Sequence, residues 1–213
     1  MSRTAIALFA LATAAAGVHA STTLTATMTN AQEVSPTPVI PTLMSGALRP
    51  VSFGSAMFVI NDAMTSMSFE AIVNNIDITG AQTADANDNL VAAHIHAGAV
   101  LGGPGTNAGV VWGFIGTPFN DTMPTDVRVT PFATGVGGTV TGKWDAPEGN
   151  GGTTLTAQLP NILAGRSYIN FHTTQFPGGE IRGQITVVPE PETCALMLAG
   201  LGALGAVARR RRA

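Results

Sequence analysis

Two short stretches hold every histidine of the chain except His19. The first reads Ala93-His94-Ile95-His96-Ala97-Gly98. In an extended chain, residues two apart share a face, so His94 and His96 project together while Ile95 points away. A His-x-His pair on one strand is a common way to offer two imidazoles to one metal ion. The second stretch reads Tyr168-Ile169-Asn170-Phe171-His172-Thr173-Thr174, followed by Pro177-Gly178-Gly179-Glu180-Ile181-Arg182-Gly183. His172 alternates with Phe171 and so faces away from that aromatic core position, and Glu180 and Arg182 lie two apart on the next strand. A site of His94, His96 and His172 suits zinc or copper, with Glu180 behind it to fix an imidazole tautomer. The competing reading needs no metal: buried histidines hydrogen-bonded to Glu180, Thr173 or backbone would lock neighbouring strands together.

Other chemistry finds little support. Cys194 is the single cysteine and lies outside the body of the chain, and the serines form no nucleophile-elbow pattern. Gly137-Gly138-Thr139-Val140-Thr141-Gly142-Lys143 has the spacing of a phosphate loop, but Trp144 stands where Ser or Thr is required and no helix follows. The Gly-rich stretch 101–109 turns the chain after His96 and is placed to shape the rim of a histidine site. Asn120-Asp121-Thr122 is a glycosylation sequon. Trp112, Trp144 and Tyr168 could stack on a sugar, although each falls in a strand pattern where core packing is the commoner role. No catalytic residue is assigned, and the chain is not expected to be an enzyme.

The elements that must position these residues are strands. Leu24, Ala26 and Met28 alternate with threonines, and Met67, Phe69, Ala71 and Val73 recur at period two. Further strands are expected at 56–60, 91–97, 109–115, 127–131, 139–144, 153–159, 168–173 and 181–187, with an extended Pro-rich loop at 35–52 and a polar loop at 79–89. No stretch carries a 3.6-residue apolar period over three turns. This predicts an all-β, antiparallel sandwich. The 213 residues suit one domain plus end segments. Residues 21–188 hold 5 basic and 11 acidic side chains, a net charge of −6 without a basic cluster. That balance excludes a nucleic-acid-binding role.

The two ends read as addresses. Residues 1–20 run from Arg3 through an apolar stretch to Val18-His19-Ala20, a secretory signal helix with cleavage after Ala20. Residues 188–213 begin Val188-Pro189-Glu190-Pro191, continue through fifteen uncharged residues from Cys194 to Ala208, and end on Arg209, Arg210, Arg211 and Arg212. That apolar run is short for a membrane span, and the arginines would hold its end in the cytoplasm. Pro189, Glu190 and Pro191, a Leu/Gly/Ala hydrophobic helix and an Arg cluster resemble the PEP-CTERM sorting signal of Gram-negative bacteria. The resemblance implies the export machinery and an exosortase-like processing enzyme as partners, with the C-terminal helix in the membrane.

The body between them, 21–187, resembles the CHRD domain first named in chordin. Its His-Ile-His-x-Gly, Tyr-Ile-Asn-x-His-Thr and Pro-Gly-Gly-Glu-Ile-Arg-Gly-Gln motifs carry the likeness, as does the opening segment ending Asn-Ala-Gln-Glu-Val. The resemblance implies an immunoglobulin-like or superoxide-dismutase-like sandwich and no established general activity. Dismutase activity is not expected, because the body has only three histidines. The expected function is a non-enzymatic binding or structural module. It would be exported, tethered to the inner membrane as an intermediate, and then placed at the cell surface or in the extracellular matrix, where an exopolysaccharide or a surface protein is the expected ligand. The alternative is a periplasmic or surface protein that binds zinc or copper through the three histidines.

Overall fold

A computed structural model describes residues 21–34, 37–98 and 106–189, together with the isolated positions 200, 201, 204 and 209. Nine antiparallel strands build one sheet: β1 (Thr22–Thr29), β2 (Phe53–Ile60), β3 (Ser66–Asn74), β4 (Leu90–Ala97), β5 (Val110–Ile115), β6 (Arg128–Pro131), β7 (Gly137–Asp145), β8 (Ser167–Thr173) and β9 (Ile181–Val187). Their order is β5-β4-β8-β9-β1-β2-β3-β7-β6. Phe69 of β3 nevertheless packs edge-on to Trp112 of β5 at 5.9 Å and lies 4.8 Å from Phe114. Strands so far apart in the order can meet only if the sheet curls onto itself like a sandwich, which agrees with the predicted all-β fold.

The core follows from alternation. Leu24, Ala26 and Met28 of β1 and Met67, Phe69, Ala71 and Val73 of β3 face inward, and Trp112 and Trp144 stack at 5.5 Å with nearly parallel rings. β8 departs from the pattern because it is buried on both faces. Ile169 and Phe171 enter the core, while Tyr168, Asn170 and His172 face a second, polar layer under the loops. β4 is built the same way, with Ile95 inward and His94 and His96 outward.

One expected strand is a helix. The 153–159 segment folds as α1 (Leu155–Leu163), because the Thr154 hydroxyl accepts the Ala157 N–H at 3.2 Å and caps the first turn. Leu155, Leu159 and Ile162 then line one face against the core. Its alternating Thr-Thr-Leu-Thr start reads as a strand only when the cap is overlooked. The polar 79–89 loop is pinned by the Asp77 carboxylate, which accepts the backbone N–H groups of Thr79, Gly80, Ala81, Gln82 and Thr83.

At the C-terminal end, the Val188 N–H donates to the Thr23 carbonyl at 2.9 Å. Pro189, exposed, follows at once, so the Pro-Glu-Pro motif begins where the last backbone hydrogen bond of the sheet ends. The expected signal helix with its Ala20 cleavage site lies outside the described residues. So do Glu190, Pro191, most of the hydrophobic segment and Arg210 to Arg212; Arg209 is described and exposed. Among the described residues no helix is long and apolar enough to cross a membrane.

Candidate metal centre

The β4–β8 register places His94 opposite Asn170, His96 opposite Tyr168 and Ala92 opposite His172. His172 is therefore a diagonal neighbour of His94 on the same face, within reach across an antiparallel pair. The three predicted residues meet: one nitrogen from each ring lies within 4.8 Å of the other two, and all three side chains are buried. His94 Nδ1 and His172 Nε2 approach to 3.1 Å.

The remaining nitrogens define the tautomers. His94 Nε2 lies 3.1 Å from the Thr117 carbonyl, His96 Nδ1 2.9 Å from the Ala108 carbonyl, and His172 Nδ1 3.0 Å from the Pro177 carbonyl. A carbonyl oxygen only accepts, so each of these nitrogens carries the proton. In the neutral rings His94 Nδ1, His96 Nε2 and His172 Nε2 are then bare lone pairs. His96 Nε2 is buried without a partner, and the 3.1 Å contact between His94 and His172 has an acceptor on both sides.

Protonation does not relieve this cheaply. Burial, with the neighbouring His172 charge, lowers His94 from 6.5 to about 4. Burial also lowers His96 to about 4, aided by the charges of His94, His172 and Arg182 and opposed by its hydrogen bond to Ala108. His172 is lowered by burial. A metal ion bonded at ~2.0–2.1 Å in tetrahedral geometry spaces its nitrogen ligands at about 3.3 Å, close to the observed contact. The donor set therefore fits zinc or copper.

Three loops bring in the carbonyls. The 116–120 turn folds back on β5 through Asn120 N–H to Gly113 O at 2.8 Å and Gly113 N–H to Asn120 Oδ1 at 3.0 Å. Gly113 is required there, since a Cβ would lie 1.8 Å from Pro118 O. The segment carrying Ala108 is held by Arg182, whose guanidinium donates to Thr106 O at 2.7 Å and Asn107 Oδ1 at 3.3 Å. Of the Gly-rich stretch expected at the rim, 101–105 lie outside the described residues. The Pro177 turn closes through Gly179 N–H to Phe176 O at 3.0 Å.

Glu180 does not take its expected place. Its carboxylate, fully buried, accepts from Arg49 Nη2 at 2.5 Å, from Thr173 Oγ1 at 2.5 Å and from Ser52 Oγ. Backbone carbonyls, and not this carboxylate, orient the imidazoles. Glu180 instead ties Arg49 and Ser52, at the end of the Pro-rich stretch, to Thr173 at the end of β8. Sequence reasoning passed over Arg49, Ser52 and the three carbonyls; the backbone groups leave no signature in residue type. Tyr168 is also part of the layer. His96 stacks on its ring at 4.5 Å and 8°, and the Arg182 guanidinium lies 3.4 Å from its centroid. Trp112, Trp144 and Tyr168 are all buried, so none presents a face to a sugar. Asn120 of the sequon is held in the turn through its side-chain oxygen.

A family model described as the CHRD domain matches residues 24–185, and one described as the PEP-CTERM protein-sorting motif matches residues 187–212. No curated protein and no solved structure matches the chain. The sorting motif marks an exported protein that passes through a membrane-anchored intermediate to exosortase processing. By a match that reaches from β1 into β9, the chain belongs to the CHRD domain family, with a PEP-CTERM tail.

Proposed function

We propose that this exported CHRD domain is a non-enzymatic metal-binding module, displayed at the cell surface or in the extracellular matrix, which holds one zinc or copper ion on His94, His96 and His172. The observation that carries the reading is the convergence of three lone pairs whose rings are each pinned from behind by a carbonyl. Locking strands through those carbonyl bonds alone would not require acceptor nitrogens to gather; here His94 Nδ1 and His172 Nε2 face each other at 3.1 Å and His96 Nε2 is buried without a partner. Ligating imidazoles are oriented through their second nitrogen in this way. The same arrangement argues against catalysis by the histidines, because the outer nitrogens are tied to carbonyls and the inner ones face each other, leaving no general base beside a hydroxyl.

The test is elemental mass spectrometry on the full-length protein, purified from membranes without an affinity tag. About one zinc or copper per chain is expected, absent from the His94→Ala/His96→Ala variant and released as acid protonates the imidazoles. Metal far below one per chain, even after incubation with excess zinc and copper, overturns the reading. The histidines would then be structural, and polysaccharides and surface proteins become the ligands to screen.

A further inference from the structure

We infer that the ion this site is built for is monovalent copper rather than zinc; the inference rests on the metal-binding reading above. Three features of the surroundings point the same way.

The first is charge. Among the described residues the group consists of three neutral imidazoles with no carboxylate or thiolate. The loop beyond Gly98, 99–105, reads Ala-Val-Leu-Gly-Gly-Pro-Gly and has no ligating side chain to add. The two carboxylates nearest in sequence are engaged elsewhere: Asp88 accepts from Thr83 Oγ1, and Glu180 accepts from Arg49, Ser52 and Thr173. A divalent ion would therefore keep its full charge in a buried place. The Born cost grows as the square of the charge, so at equal radius a divalent ion costs about four times as much to bury as a monovalent one.

The second is a fixed positive charge close by. Tyr168 carries His96 stacked on its ring and the Arg182 guanidinium 3.4 Å from its centroid. Two groups in stacking contact with one ring must take opposite faces, so the cation stands one ring's thickness behind a ligand. Arg182 is fully buried and held by Thr106 and Asn107, so it cannot swing out to water. It repels a divalent ion twice as strongly as a monovalent one.

The third is coordination number. Zinc on three protein nitrogens takes a water as its fourth ligand, and the three imidazoles that meet here are all buried. Monovalent copper has a filled d shell, carries less charge to neutralise and is stable with three nitrogen ligands in a plane.

The experiment is a pair of competition titrations on the metal-free full-length protein in detergent. Cu(I) is titrated anaerobically against bicinchoninate, and Zn(II) against a chromophoric zinc chelator. We expect one Cu(I) per chain, held at least about 100-fold more tightly than Zn(II), a difference of about 2.8 kcal/mol. That binding should persist in Cys194→Ser and vanish in His94→Ala/His96→Ala. Zinc held as tightly as Cu(I), or Cu(I) lost with the thiol, overturns this inference while leaving a metal-binding body. Failure to bind either metal removes the metal-binding reading itself.

Discussion

His94 Nδ1 faces His172 Nε2 across 3.1 Å while the other nitrogen of each ring donates to a backbone carbonyl. Without a cation between them, two lone pairs are held in contact. The strain of that contact is borne by β4 and β8, which pair from Leu90 to Ala97 and are buried on both faces from Ala92 onward. The rings are thus gathered before any ligand arrives, and an ion bonded at ~2.0–2.1 Å has only to draw three nitrogens already within 4.8 Å of one another to about 3.3 Å.

Acid should find this weakness first in the metal-free protein. His94 and His96 sit at about 4, well below the 6.5 of an unfolded chain, so between those values the unfolded state binds more protons. Stability is accordingly full above pH 6.5 and falls as pH drops through this window to about 4, by about 3 kcal/mol for each ring. Urea unfolding of metal-free protein at pH 7, 5.5 and 4 measures it. A His94→Gln/His96→Gln variant should show a much flatter profile; an equally steep one would assign the acid sensitivity elsewhere.

Gly113→Ala should damage the site while sparing the sheet. The new Cβ would overlap Pro118 O and lie 3.1 Å from His94 Cδ2, so the turn carrying Thr117 must move. His94 then loses the acceptor that fixes its tautomer. Loss of such an orienting contact typically weakens metal binding by about 10–100-fold. Metal affinity and far-UV circular dichroism, measured on the same sample, separate this from unfolding. Unchanged affinity would mean the carbonyl contact does not matter.

The strands that carry the site were legible because a β-strand has period two: His94 and His96 share a face, and His172 opposes Phe171, in the sequence as in the structure. What holds the rings was not legible. Thr117, Ala108 and Pro177 act through their carbonyls, which every residue possesses. Glu180 misled because its partner Arg49 lies 131 residues earlier, in a Pro-rich stretch with no regular pattern to place it. α1 was missed because a single cap at Thr154 decides between helix and strand for a segment whose apolar residues fit both.

Arg49→Met should be among the most destabilising single changes outside the hydrophobic core. It leaves the Glu180 carboxylate fully buried with only two hydroxyl donors. An uncompensated buried charge costs about 3–5 kcal/mol, whereas removing both partners costs far less. The Arg49→Met/Glu180→Leu double variant should therefore recover most of the loss. Denaturant midpoints of the two singles and the double close the cycle; additive losses would show that the two side chains are not energetically coupled.

Glu33→Gln should stabilise the protein above about pH 4.5, by an amount that grows until pH passes about 7. Glu33 is buried beside Gly179, where its Oε1 has no hydrogen-bond partner. Burial raises its carboxyl to about 7, against the opposing Arg182 charge and a hydrogen bond from Asn170, with the Glu180 charge adding to the rise. The folded state thus holds a proton that the unfolded chain releases near 4.5. The stability from that proton is complete below 4.5 and lost as pH rises through about 7. Glutamine keeps the shape and cannot ionise, so the variant should come close to the parent at pH 4 and exceed it by up to about 3 kcal/mol at pH 8. Urea midpoints at the two pH values decide the matter. A gain of equal size at both would point to a packing effect, and no gain at pH 8 would mean that Glu33 ionises in the fold as easily as in water.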